Sequence, residues 1–415
     1  MDQASFPLTG MRVLDLSRAL SGPFCGLILG DLGADVIKVE AIPDGDMIRA
    51  WGPFDRDESV YYLCGNRNKR DIGINFRCEE GRRLLREMAL RCDVIIENFR
   101  PGTLAQMGLE PAGLRAEKPE LIIASLSGFG SDGPLASRPG FDQIAQGYAG
   151  FMSFTGTPET GPTRVGVAIG DMTSGMWLAI GVLAAWAQRQ QTGVGRVIET
   201  SLLSSLVSLL SVQGQRYLNL GEVAVPTGNV HPVIAPYGVF RAQDGNLNIG
   251  AATQDMWLSL CDVIGLAGLK DDERFTDNAG RMAHREELRL IIEERLATRT
   301  RADWTERLVE AGIPAGPINR IDDVVADAQV AHLDLIESFE HPTLGPMRQI
   351  SSPLRMDGHD GRWIRKPPPV LGQHSRAILT DLGFSADEIA HWEETRVVYQ
   401  NPHGSNYRDG REKVA

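Results

Sequence analysis

At 415 residues the chain is long enough for two or three domains with ample core. Hydrophobic residues make up 42% and charged residues 23%, the profile of an ordinary globular protein and not of a disordered or fibrous one. Lys and Arg number 42 against 54 Asp and Glu, a net charge of −12, which excludes the broad basic surface of a nucleic-acid binder and leaves only local clusters for one phosphorylated small molecule.

The first stretch reads as repeated βαβ. Arg12–Leu16 is a short apolar strand, Ser17–Gly22 a turn, and Pro23 suits the first helical position of a helix over Phe24–Gly33. Strands follow at Asp35–Glu40, Arg70–Asn75, Asp93–Phe99 and Leu121–Ser127, with a charged helix over Glu79–Arg91. Alternating strands and helices predict a parallel sheet with ligands at the C-terminal strand ends. After a loop-rich stretch from Gly128 to Gly170, the pattern predicts a helix over Thr173–Gln190, a strand at Gly195–Glu199 and a helix over Leu202–Leu218. Character changes near Gly221. Tyr237–Phe240 and Leu247–Ala251, joined through a DG turn, read as a hairpin. Helices over Asp255–Ile264, His284–Thr298 and Ala302–Ala311 follow, closed by a GIPAGPIN loop. A Pro-rich crossing, KPPPVLGQHS, precedes a helix whose capping box pairs Ser385 with Glu388. The tail after Gln400 reads as polar and mobile. This gives a Rossmann-like large α/β domain over 1–220, a smaller α+β domain over 225–330, and a C-terminal segment, 331–415, returning to the large domain.

Chemistry is narrowed by what is missing. All eight histidines lie from His231 onward, so neither a Ser-His-Asp relay nor an HExxH zinc site fits in the first 230 residues. His231 and His341, each followed by Pro, read as turn residues. Five cysteines without a CxxC pair point to a reducing compartment and to no zinc ribbon; no metal is expected. The N-terminus lacks the form of a secretory signal. The apolar stretches Met176–Ala187 and Leu202–Val212 are shorter than the roughly 20 residues that span a bilayer. A cytoplasmic protein without membrane contact is expected.

Candidate sites each carry a bland alternative. The first turn reads SRALSGPF and lacks two of the three glycines of a dinucleotide loop. A GxGxxG match at Gly128–Gly133 is followed by Pro134, where a helix should start. The basic run Asn66–Arg70 offers Arg67, Lys69 and Arg70 for a phosphate, or is a solvated loop. Arg18, Lys38 and Arg100 sit at strand ends, where one nucleotide reaches all three. Asp171, in AIGDMTSG before a long apolar helix, is either an N-cap or a carboxylate nucleophile that attacks an activated acyl group. GAATQD (Gly250–Asp255) is a mobile active-site loop or a plain connection.

Taken together, LDLSRALSGPFCGLILGDLGADVIKVE, NRNKRDIGINF, DVIIENFRPGTLAQMGL, SLSGFGSDGP, GDMTSG and the PPPVLGQHS crossing resemble the family III CoA-transferases in collinear order over nearly the full chain. The resemblance implies two interlocked copies of a Rossmann-like fold. It implies Asp171 as covalent nucleophile, and CoA contacts at Arg18, Ala19, Lys38, Asn98, Phe99 and Arg100, with Arg67, Lys69 and Arg70 serving CoA phosphates. Coenzyme A is then a substrate, with no tightly bound cofactor, and an acyl-CoA and a small organic acid are the partners. Arg164, shortly before Asp171, is expected to pair with the distal carboxylate of a C4–C6 dicarboxylic acid such as succinate, mesaconate, itaconate, citramalate or glutarate; Gln254 and Phe141 are further expected substrate contacts. One alternative is an α-methylacyl-CoA racemase, which carries a histidine where this chain has Phe141. A formyl/oxalate-type transferase, whose glycine-run loop appears here as GAATQD, and a non-catalytic CoA-binding protein are the others.

Overall fold

A computed structural model describes residues 6–401 of the chain. The apolar runs form six parallel strands: β1 (Arg12–Asp15), β2 (Asp35–Ala41), β3 (Lys69–Ile74), β4 (Val94–Glu97), β5 (Ile122–Ser127) and β6 (Val197–Ser201). Their order across the sheet is β3-β2-β1-β4-β5-β6, and Val398–Tyr399 adds an antiparallel strand beside β3. The helices that matter for the site are α1 (Ser21–Asp31), α2 (Glu79–Leu90), α3 (Asp142–Tyr148), α4 (Ile169–Thr192), α5 (Leu202–Ser208) and α6 (Ser211–Leu220).

The strands are apolar on both sides because both faces of the sheet are covered. Leu14, Ile37, Ile72 and Ile95 pack with Leu84, Leu85 and Met88 of α2, and with Ile378, Leu379 and Trp392 from the C-terminal segment. Their neighbours Val13, Val36, Val94 and Ile122 point to the other face, against Cys25 and Leu29 of α1 and Leu178 and Val182 of α4. Burying each such side chain contributes about 1.5–3 kcal/mol, so either layer is costly to disturb.

Two compact units result. The first comprises the chain up to Phe151, Arg164–Glu222 and the residues from Ala331 on; the second comprises Met152–Thr163 and Val223–Val330. The second unit has a three-stranded antiparallel sheet, Tyr237–Ala242, Gly245–Gly250 and Ala315–Pro317, over a core that includes Trp257, Leu260, Ile292 and Trp304.

Several elements differ from the sequence expectation for identifiable reasons. The long helix starts at Ile169, four residues before the expected Thr173, because a residue distant in sequence caps it. The expected helix over Leu202–Leu218 is two helices, broken where Ser211 takes φ +46°. Part of the GIPAGPIN loop is the strand Ala315–Pro317, paired with Gly245–Gly250. An unanticipated hairpin joins Ile336–His341 to Gly345–Ile350. The Ser385–Glu388 capping box forms as expected. At 24 residues α4 is long and apolar enough to cross a membrane, longer than its apolar stretch indicates. Its Ser174, Gly175, Leu178 and Val182 are nevertheless buried within the first unit, as in a core helix. The tail beyond Asn401 lies outside the described residues.

Candidate active site

The strand order runs away from β1 in both directions, to β2 on one side and β4 on the other. Loops leaving two such strands diverge and leave a crevice, the usual ligand position in open α/β sheets. Here Asn98, after β4, ties the loop after β1: its Oδ1 accepts from the Arg18 amide at 2.8 Å and its Nδ2 donates to the Arg18 carbonyl at 2.7 Å. The Arg18 guanidinium then lies over the Phe99 ring, 5.1 Å from its centroid.

A cleft of about 720 Å³ opens beside these loops, and Arg18, Ala19, Asn98, Phe99, Arg100, Phe141, Arg164 and Asp171 all border it. The structure thus brings together eight of the expected site residues from four separate stretches of sequence. Phe141 is 59% exposed at this border, an apolar surface open to the cleft.

Asp171 is the third residue of α4 and does not cap it; the N-cap position is Ala168, which makes no side-chain cap bond. Capping comes instead from Asp142, at the start of α3. Its Oδ1 accepts from the amides of Gly170 at 2.7 Å and Asp171 at 3.3 Å, while its Oδ2 accepts from Gln146 Nε2 at 2.6 Å. Gln146 in turn accepts from the Val165 amide at 2.9 Å, fixing the approach to α4. Position 170 must be small, since a Cβ there would lie 3.0 Å from Asp142 Oδ1. The Asp171 side chain is therefore free to turn to the cleft.

Burial, then the neighbouring Asp142 charge, push the Asp171 carboxyl up to about 7, against a hydrogen bond from Ser21 that favours ionisation. A helix N-terminus stabilises a carboxylate, but desolvation and like charge prevail here. A carboxylate poised near neutrality in a cleft is the electrostatic mark of a functional group.

Four arginines, Arg18, Arg100, Arg138 and Arg164, border the cleft, and among the described residues none of them forms an ion pair. Their convergence on one cleft makes it attractive to anions. Arg138 was missed in the sequence, where SRPG reads as a turn; its guanidinium sits 5.7 Å from the ring centroids of Phe129 and Tyr148. Asp142 and Ser21 were missed too, because their roles depend on contacts across α3, α4 and α1.

Four other expected CoA contacts do not border this cleft. Lys38 is fully buried and bonds the Ser17 carbonyl and Asp46, the latter at 3.0 Å. Lys69 is fully buried against Asp15 at 2.9 Å. Arg67 pairs with Asp31 at 2.7 Å, and Arg70 bridges Asp35 at 2.6 Å and Asp381 at 2.7 Å. Lys38, Arg67 and Lys69 neutralise buried carboxylates and Arg70 bridges two partly exposed ones, so within this chain the four cations hold β2 and β3 in place. Gln254 lies in the second unit, where it donates to the Thr276 carbonyl at 2.8 Å and accepts from Arg281 at 3.0 Å.

Known proteins agree with this architecture. Residues 8–375 match the model of CoA-transferase family III. The chain is 40% identical over 377 residues to succinyl-CoA:glutarate CoA-transferase of Mus musculus, spanning 91% of this chain and 86% of that one. It is 34% identical over 395 residues to succinyl-CoA–D-citramalate CoA-transferase of Chloroflexus aurantiacus, spanning 94% and 98%. A CaiB/BaiF family protein from Brucella suis superposes with a TM-score of 0.82 at 38% identity, over 91% of this chain and 100% of that one. With the family model spanning most of the chain, and relatives matched over nearly their whole length, the chain belongs to CoA-transferase family III and is a CoA-transferase.

Proposed function

We propose that the enzyme moves CoA from an acyl-CoA to a C4–C6 dicarboxylic acid, with Asp171 as covalent nucleophile. The observation that carries this reading is the half-buried Asp171 carboxyl at the rim of a cleft bordered by four arginines without ion pairs. Relatives named for succinate, glutarate and D-citramalate support the acid class.

An Asp171 oxygen attacks the thioester carbonyl; the C–S bond breaks and CoA leaves as thiolate from an aspartyl-acyl anhydride. The thiolate attacks the aspartyl carbonyl, releasing the donor acid as carboxylate and leaving an aspartyl-CoA thioester. An acceptor carboxylate displaces the thiolate to form a second anhydride, and the thiolate then takes the acceptor acyl group and frees Asp171. Thioester energy is conserved at each step. Arg18 and Arg100 serve the CoA phosphates, while Arg164 meets the distal carboxylate and Phe141 packs on the acyl chain. Arg164 now donates to the carbonyls of Val165, at 3.1 Å, and Gly166, so an incoming carboxylate competes only with its own backbone.

Two copies interlock, on the family's pattern, and work in the cytoplasm. Exposed apolar side chains around α6, Val212, Tyr217, Leu218 and Leu220, support contact with a second copy; light scattering should return twice the chain mass. The activity is tested by incubating succinyl-CoA with a panel of mono- and dicarboxylic acids in deuterated water. New acyl-CoAs from dicarboxylates, without deuterium at the α-carbon, are expected. Deuterium incorporation without exchange of acids would replace transfer by racemisation.

A further inference from the structure

α1 and α4 approach closely because position 175 is glycine. A Cβ there would lie 2.6 Å from the Ser21 carbonyl oxygen and 3.2 Å from Phe24. Ser21, the 5% exposed first residue of α1, borders the same cleft as Asp171, one turn before Gly175 on α4, and its side chain is a hydrogen-bonding neighbour of the Asp171 carboxyl.

The direction of this bond follows from its neighbours. The Arg18 amide holds Asn98 Oδ1 at 2.8 Å, so Asn98 Nδ2 faces the Arg18 carbonyl at 2.7 Å and Ser21 Oγ at 3.4 Å. An amide NH₂ only donates, so it occupies a lone pair of Ser21 Oγ and leaves the hydroxyl hydrogen for Asp171. We propose that Ser21 is a positioning residue for the transfer reaction, the middle of a one-way donor chain from Asn98 through Ser21 to Asp171. The chain favours the ionised carboxylate and fixes its orientation at the cleft. Asn98 belongs to the cleft border that the CoA thioester meets, so the donor chain joins the binding loop to the reacting carboxylate. Against burial and Asp142, which favour the protonated acid, Ser21 acts in the opposite sense.

The inference rests on Asp171 being the nucleophile, and the test separates the two ideas. Ser21→Ala, Ser21→Thr and Asp171→Asn are compared in kcat/KM against pH, which reports the free enzyme's essential groups. Losing the donor in Ser21→Ala should move the acid limb up by about one pH unit, roughly a tenfold loss below the limb and little above it. Ser21→Thr, which keeps the hydroxyl, should hold the limb near the wild-type position. An unmoved limb in a Ser21→Ala enzyme that melts like wild type would overturn the donor chain. Equal shifts in the Ala and Thr variants would also overturn it, since crowding alone would explain them. An active Asp171→Asn enzyme would instead overturn the nucleophile and leave Ser21 without this role.

Discussion

Replacing Asp171 with asparagine keeps the shape of the side chain and removes a charge that its surroundings disfavour. The folded carboxyl titrates at about 7, raised by burial and Asp142 from 3.8. Between those values the folded state binds a proton that the unfolded state has lost, so stability falls as pH rises through this window. A shift of roughly 3 units, at about 1.4 kcal/mol each, sets a ceiling of about 4 kcal/mol. Asp171 borders an open cleft, and a local dielectric nearer 20 than 4 brings the expected cost to about 2 kcal/mol. Asparagine is neutral at every pH and escapes that cost. Asp171→Asn should therefore melt roughly 2 °C above wild type at pH 8, with the gap closing towards pH 4. Calorimetry of both proteins across this range measures it. A gap that is absent at pH 8, or constant with pH, would show that Asp171 is not held in a disfavoured charged state.

Three further outcomes follow from the same geometry. Asp142→Asn keeps an acceptor for the α4 amides but removes the like charge beside Asp171, so the acid limb of kcat/KM should move down by about one pH unit; a limb that stays or rises contradicts the charge argument. Lys69→Met strands the Asp15 carboxylate in the core and should cost roughly 3–5 kcal/mol, whereas Arg100→Ala should leave the melting point unchanged and raise KM for acyl-CoA. The reverse pattern would return the basic run to the binding site. Arg164→Ala should impair transfer to dicarboxylates selectively, measured as kcat/KM against matched monocarboxylates; equal losses would make Arg164 structural.

Much of the large unit was legible because strands buried on both faces print as runs of Val, Ile and Leu, as in DVIKVE and LIIASLS, and because Gly and Pro mark the turns between them. Asp171 stood out through its place among glycines ahead of an apolar helix. Its neighbours were not legible. Asp142 and Asp171 are 29 residues apart and meet only once α3 docks beside α4, and Ser21 neighbours Asp171 only once α1 packs closely against α4 at Gly175. The pairing of the basic run was not legible either: a sequence displays charges but not their partners, and Asp15, Asp31 and Asp35 lie on other strands and helices. Arg67, Lys69 and Arg70 satisfy those carboxylates inside the fold. Of the four unpaired arginines of the cleft, Arg18, Arg100 and Arg164 were legible from their places at strand ends and ahead of Asp171, whereas Arg138 reads as part of a turn.

The central claim is that Asp171 carries the acyl group and then CoA. The most direct measurement incubates the enzyme with succinyl-CoA, quenches with hydroxylamine, digests the chain and weighs the peptide that contains residue 171. A hydroxamate on Asp171, absent without the thioester and absent in Asp171→Asn, is the predicted result. Efficient transfer to acceptor acids with Asp171 unmodified throughout would contradict the covalent account and place the chemistry elsewhere in the cleft.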